Sequence, residues 1–184
     1  MRASVLGMAV TIAVGVAVVN AQKTTEVHPG KAGSPHVRTE WKIDGASISI
    51  EYGRPFVKGR EDGKVRADSQ VMPSGQVWRT GADEATTLKT DKMLMFGSTH
   101  LSPGTYTLWT LPGEKEWLLI INKQTGQWGT AYDMKQDLAR EKMTVLKSTK
   151  PVEQLTISIE DTKQGATLRV EWGTTRVEIP FMVM

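Results

Sequence analysis

Two segments gather side chains that could bind or react. YGRPFVKGREDGKVR (52–66) carries Arg54, Lys58, Arg60, Lys64 and Arg66 against Glu61 and Asp62. Gly53, Gly59 and Gly63 let its backbone turn tightly. SGQVWRTGADEAT (74–86) places Trp78 and Arg79 before Gly81, with Asp83 and Glu84 after it. A guanidinium is a planar fork that fits a carboxylate or a phosphate. Loops held on strands are where binding groups gather. Trp78 and Trp128 lie among glycines and polar residues, where an exposed indole could stack on a sugar or an aromatic group. Arg54, Lys58, Arg60, Trp78, Arg79, Glu84 and Trp128 therefore form the candidate ligand-binding set, in a cleft where the two loops meet. The competing reading is structural. The arginines would pair with Asp83, Glu84 or loop carbonyls, and the indoles would cap the core.

Other chemistry is thinner. QWGTAYD (127–133) joins Trp128 and Tyr132 to Asp133, with Asp137 and Arg140 close behind. Two carboxylates such as Glu84 and Asp133 could serve as acid and base in a hydrolase, but a chain with 20 acids offers many such pairs. No nucleophile elbow, zinc-protease helix motif, phosphate loop or dinucleotide fingerprint occurs. The absence of cysteine excludes disulfides, thiol catalysis and Cys-ligated metal. Of the histidines, His28 and His36 fall in a polar stretch and read as solvated linker, and His100 beside Leu101 reads as a strand residue. Met93 and Met95 are soft enough for copper, yet no histidine pair stands near them in the chain. The sequence thus assigns no catalytic residue, metal or cofactor, and the balance leans away from an enzyme. A formal net charge of +3 from 23 basic and 20 acidic residues is too even for a polyanion-binding surface, so no nucleic-acid partner is expected.

The elements that must position these groups are mostly strands. Residues 1–21 stand apart: Arg2 is their only charge, Val5 to Val19 is apolar or small save Thr11, and Val19-Asn20-Ala21 ends on a small residue. This is the layout of a signal peptide cleaved after Ala21, which implies a periplasmic or secreted protein without a membrane span after cleavage. Residues 22–36 hold prolines, glycines and little that is apolar, as a flexible leader would. From Val37 the period is two. Val37, Thr39, Trp41 and Ile43 lead into Asp44-Gly45, a two-residue hairpin turn, and Ala46, Ile48, Ile50 and Tyr52 follow in phase. That turn pairs Trp41 with Ile48, Val37 with Tyr52 and Arg38 with Glu51. Near the C-terminus, Leu155, Ile157 and Ile159 face Ala166, Leu168, Val170 and Trp172 around a turn at 162–165. Between them, EWLLIIN (116–122) is apolar on both parities, as a central strand covered on both sides would be. Only 133–141 has helical spacing. About 9–10 short strands in residues 37–184, with at most one short helix near 133–141, predict an all-β single domain: an antiparallel β-sandwich, jelly-roll-like or a flattened barrel.

The blocks YGRPFVKGR (52–60), VWRTGADEAT (77–86), LSPGTYTLWTLPG (101–113), WLLIINKQTGQWG (117–129) and LRVEWGTTRVEIPF (168–181) resemble the bacterial family catalogued as domain of unknown function 2911. The resemblance runs over residues 34–184. LSPGTY stands where the family pattern has LPAGTY, and the Pro-Gly turn survives. The resemblance implies an exported protein and carries no activity or catalytic residue with it. The resulting expectation is a binding module for a small anionic or carbohydrate-like ligand. The alternatives are a carboxylate-dependent hydrolase and a structural or envelope-interaction protein without a small-molecule site.

Overall fold

The computed structural model describes residues 22–31, 33–58, 72 and 74–184. The expected signal segment and residues 59–71, with Arg60, lie outside the described residues. The strands are β1 (Lys23–His28), β2 (His36–Ile43), β3 (Ala46–Gly53), β4 (Thr87–Thr90), β5 (Leu94–Phe96), β6 (Thr99–Leu101), β7 (Gly104–Leu111), β8 (Trp117–Asn122), β9 (Asp137–Thr162) and β10 (Gly165–Val183). They form one ten-stranded antiparallel sheet in the order β1-β2-β3-β4-β7-β8-β9-β10-β5-β6. The sheet does not close, and β1 and β6 are its two ends. Among the described residues there is no α-helix, only a 3-10 turn at Met134–Gln136. The all-β, antiparallel expectation holds.

Alternation and turn chemistry set the hairpins. Asp44 and Gly45 take φ of 47° and 76°, the left-handed pair that a tight hairpin turn needs. Trp41 then pairs with Ile48, Val37 with Tyr52 and Arg38 with Glu51. The β9–β10 hairpin pairs Ile159 with Leu168 and Ile157 with Val170. Thr162 and Gly165 are themselves a pair, so the turn is tighter than the four-residue loop expected. β8 is buried on both faces, as its unbroken apolar run requires.

The one short helix expected near 133–141 is present in its shortest form, and the flexible leader needs correction. The helical spacing at 133–141 yields helix only for Met134–Gln136, and Asp137 already belongs to β9. Central β8 offers an open ladder there, and Leu119 pairs with Glu141 and Ile120 with Arg140. A ladder of six residue pairs with a buried strand outweighs a weak helical pattern. The leader is not wholly flexible either, because Lys23–His28 pairs with β2 as β1. An edge strand needs no apolar face. Lys23–Val27 are all exposed, which suits their polar composition and blunts the edge.

The sheet folds over so that its inner faces share one core. β9 makes this possible: its first turns of ladder pair with β8 and the remainder pairs with β10. Trp78 stacks on Trp172 from β10 at 6.1 Å and meets Trp117 from β8 edge-on at 6.2 Å. Phe96 and Phe181 pack at 5.0 Å. Each such side chain, fully buried, contributes about 1.5–3 kcal/mol. On the outer side of β7 and β8, Trp109 and Ile120 are covered by Ala85 and Tyr132 as a smaller second cluster.

One buried hydroxyl ties the layers together. Tyr52 Oη accepts the Ile157 N–H at 2.9 Å and lies 3.4 Å from the Ile157 carbonyl. This joins β3 to β9 across the core, and burial pushes the Tyr52 pKa up. Tyr52→Phe would leave that N–H unsatisfied in an apolar setting. The expected loss is about 1–3 kcal/mol in denaturant unfolding, with an unchanged slope against denaturant.

Candidate metal centre

The hairpin of β1 and β2 carries a histidine at each end of its loop. A bulge after Glu26 brings His28 opposite His36. The imidazoles stack with centroids 4.3 Å apart and planes 17° from parallel. Gly30, at φ of 68°, turns the loop back and donates its N–H to His28 Nδ1 at 3.1 Å. A Cβ at Gly30 would overlap the Ser34 carbonyl. His36 is only 2% exposed. Its partner in β3 is Gly53, and that choice of residue is forced. A Cβ on Gly53 would lie 2.6 Å from His36 Nε2 and 2.4 Å from the Ala82 carbonyl oxygen.

The second half of the centre comes from the loop before β4. Trp78 is bridged to Thr110 by paired backbone hydrogen bonds of 2.7 and 2.9 Å. Thr80 and Asp83 then take left-handed φ of 52° and 61°, uncommon for residues with a Cβ. The bends are held. Thr86 Oγ1 donates to the Thr80 carbonyl at 3.1 Å, and the Asp83 carbonyl accepts from Gly129 N–H at 2.9 Å and Arg79 at 3.2 Å. Asp83 Oδ2 in turn accepts the Lys31 N–H at 2.8 Å, which joins this loop to the hairpin loop.

The result is a convergence of two imidazoles and a carboxylate. Glu84 Oε2 lies 3.0 Å from His36 Nε2 and 3.8 Å from His28 Nε2. Asp83 Oδ2 lies 3.8 Å from His36 Nε2. The ligand atoms of His28, His36 and Glu84 all fall within 4.8 Å of one another. His36 Nε2 and Glu84 Oε2 are buried, and neither has a correctly directed hydrogen bond despite their separation. Two facing acceptors at that distance need a cation or a proton between them.

These spacings bracket the roughly 3.3 Å ligand–ligand edge of a tetrahedral zinc site with bonds near 2.0–2.1 Å. Two nitrogens and one oxygen also form the donor set of zinc-class ions with a fourth position open. The solvent side carries His28 and Glu84, whose side chains are 40% and 47% exposed. His28 is the ligand that must adjust. The Gly30 N–H holds its Nδ1 lone pair, which places the neutral ring's proton on Nε2, and coordination through Nε2 displaces that proton and breaks the Gly30 contact.

The predicted ligand-binding set is divided by the structure. Glu84 and Trp128 come together as a bridged pair at the centre's rim. Trp128 is exposed, with Lys31 Nζ 4.8 Å above its ring. Arg79 stands behind them, its guanidinium on the Asp83 carbonyl. Arg54 turns away to β9, donating to the Leu155 carbonyl at 2.9 Å and Thr156 Oγ1 at 3.0 Å. Lys58 bonds Glu153 through its backbone N–H. Trp78 is buried in the tryptophan stack and forms no open wall. Of the two segments, Gly53 of the first packs by its backbone against Gly81 and Ala82 of the second, and residues 59–66 lie outside the described residues.

Asp133 and Asp137 are committed elsewhere. Asp133 accepts the Lys135 N–H to cap the 3-10 turn. Asp137 accepts from Asn122 at 2.9 Å, from Tyr132 Oη at 2.6 Å and from Arg140 at 2.9 Å. A groove on the outer face of β2, β3 and β4 is lined by charges that neutralise one another, as Arg38 does with Glu51 at 2.6 Å.

Sequence reasoning missed His28 and His36 because it tested spacing along single elements. The available signal was the mirrored run Glu26-Val27-His28 and His36-Val37-Arg38 around a loop rich in proline and glycine.

Two variants test this neighbourhood. Gly53→Ala should lower the melting temperature and shift the His36 imidazole resonances, since the added methyl has no room beside Nε2. Burial first, and then the Asp137 carboxylate, push the Tyr132 pKa from 10.0 up to about 12. A raised folded-state value means its contribution is complete below pH 10 and is lost as pH rises toward 12. Tyr132→Phe should therefore lose less stability than the parent between those limits in alkaline unfolding.

No curated protein and no solved structure matches the chain. The family model described as "Protein of unknown function (DUF2911)" matches residues 34–181, a span that holds His36, Asp83, Glu84 and Trp128 and leaves His28 outside. The chain belongs to the DUF2911 family.

Proposed function

We propose that this is an exported binding protein built around a divalent transition-metal centre. His36, His28 and Glu84 hold a zinc-class ion, and a small anionic or hydroxyl-bearing ligand takes its open position. The reading is carried by one observation: buried His36 Nε2 faces buried Glu84 Oε2 at 3.0 Å with neither atom hydrogen-bonded. The apolar N-terminal run supports export to the periplasm or the medium.

The ligand side follows from what surrounds the open position. Trp128 offers an exposed indole face, and Lys31 brings an ammonium over it. A ligand with an oxygen donor for the metal and a flat or sugar-like body for the indole fits this rim. The arginine cleft expected from the sequence has less support, since Arg54 and Arg79 are both spent on backbone carbonyls.

The competing reading is a plain His36–Glu84 ion pair. Metal titration separates the two. Zinc at a hundred times its dissociation constant should stabilise the protein by about 2.7 kcal/mol, and cobalt should give the visible absorption of a four-coordinate N/O site. Glu84→Gln, which keeps the shape of the side chain, should abolish both effects. An unchanged melting temperature with zinc, and no cobalt spectrum, would leave the ion pair as the answer.

A further inference from the structure

The far end of the sheet carries a row of soft ligands. In β5, Leu94 and Phe96 point inward and are buried, so Met95 points out. In β6, Leu101 is buried and His100 points out. In β10, Phe181 is buried and Met182 points out, 41% exposed. The register sets these side by side: Met95 pairs with His100, and Met182 pairs with Met95. His100 Nε2 already lies 3.2 Å from Met95 Sδ. The ladder continues, because Met184 donates its N–H to the Met93 carbonyl at 2.9 Å. Met93 and Met184 thus extend the row, at 36% and 63% exposure.

Thioethers on a water-facing strand surface gain little burial, Met95 being only half-buried, and elsewhere on β10 the outer face carries Arg169 and Glu178 as an ion pair at 3.1 Å. What four methionines and an imidazole share is chemistry. Thioether sulfur is soft and prefers monovalent copper over zinc, calcium or magnesium, and an imidazole completes such a site. Directly opposed cross-strand residues have Cβ atoms about 4.5–5.5 Å apart, which lets flexible methionine side chains converge on one ion. No histidine pair stands near Met93 and Met95 in the chain, but strand pairing sets one imidazole, His100, against Met95, and the remaining donors of the site are thioethers.

The geometry points to a Cu(I)-class binding site on this face, held by His100, Met95 and Met182 with Met93 or Met184 as a further sulfur. It is separate from the His28–His36–Glu84 centre and uses none of its residues.

The test uses the intact protein carrying Glu84→Gln, so the first centre does not contribute. Silver, a redox-stable stand-in for Cu(I), is titrated with methyl-labelled methionine observed by NMR, and Cu(I) affinity is read by competition with a chromophoric chelator. The expected result is one tightly bound equivalent, with the Met95 and Met182 methyl signals shifting first. Met95→Leu with Met182→Leu keeps size and apolarity, so it should preserve the fold and weaken Cu(I) binding at least a hundredfold. His100→Ala should weaken it by roughly tenfold or more. Binding that survives the double leucine change, or silver shifts spread evenly over all methionines, would overturn the proposal. A double leucine variant that still self-associates as the parent does, with no metal effect in either, would make the face an apolar contact surface instead.

Discussion

A single ladder joins the two halves of this molecule. β9 spends its first residues on β8 and its remainder on β10, so the covering layer is hydrogen-bonded to the layer it covers. The chain need not find the second layer by hydrophobic contact alone, because the strand delivers it in register. Everything inward-facing then has one place to go. The tryptophans of β8 and β10 meet around Trp78, and Tyr52 reaches across to Ile157. Where the folded sheet leaves an end open, β2 and the loop before β4 meet over Gly53.

The candidate metal centre depends on backbone approach more than on side-chain choice. His36 can be buried only because Gly53 has no side chain, and Ala82 can pass the same spot for the same reason. The left-handed turns at Thr80 and Asp83 then swing Glu84 onto the imidazole. Non-glycine residues persist in such conformations where surrounding bonds over-determine them, and here Thr86, Gly129, Arg79 and Lys31 supply those bonds. Strain gathered beside a pair of unsatisfied polar atoms is a usual mark of a site.

The fold was largely legible because its code is short-range. Trp41, Ile48 and Asp44-Gly45 specify a pairing between them, and Ile159 and Leu168 do the same around their turn. The site was legible only in part. Glu84 and Trp128 stood out by loop composition and do meet. Arg54 and Trp78 stood out equally and serve the framework, since an arginine fork satisfies carbonyls as readily as ligands and an indole among glycines can still face inward. His28 and His36 were hidden by a polar stretch that has the composition of a linker. An edge strand and a linker look alike in sequence because neither buries an apolar face. Met182 and His100 are distant in the chain and meet only through Met95, which no single-element period can show.

β1 has one neighbour and contributes almost no buried surface, so peeling it away costs far less free energy than opening any interior strand. Yet it delivers His28. The first imidazole of the candidate centre therefore arrives and departs with an edge strand, while His36 waits in the rigid body. Any ion gripping both would act as a clasp on that edge, slowing amide exchange along Lys23–His28 and hiding the strand from proteases. Ligation and local order would then be two readings of one equilibrium.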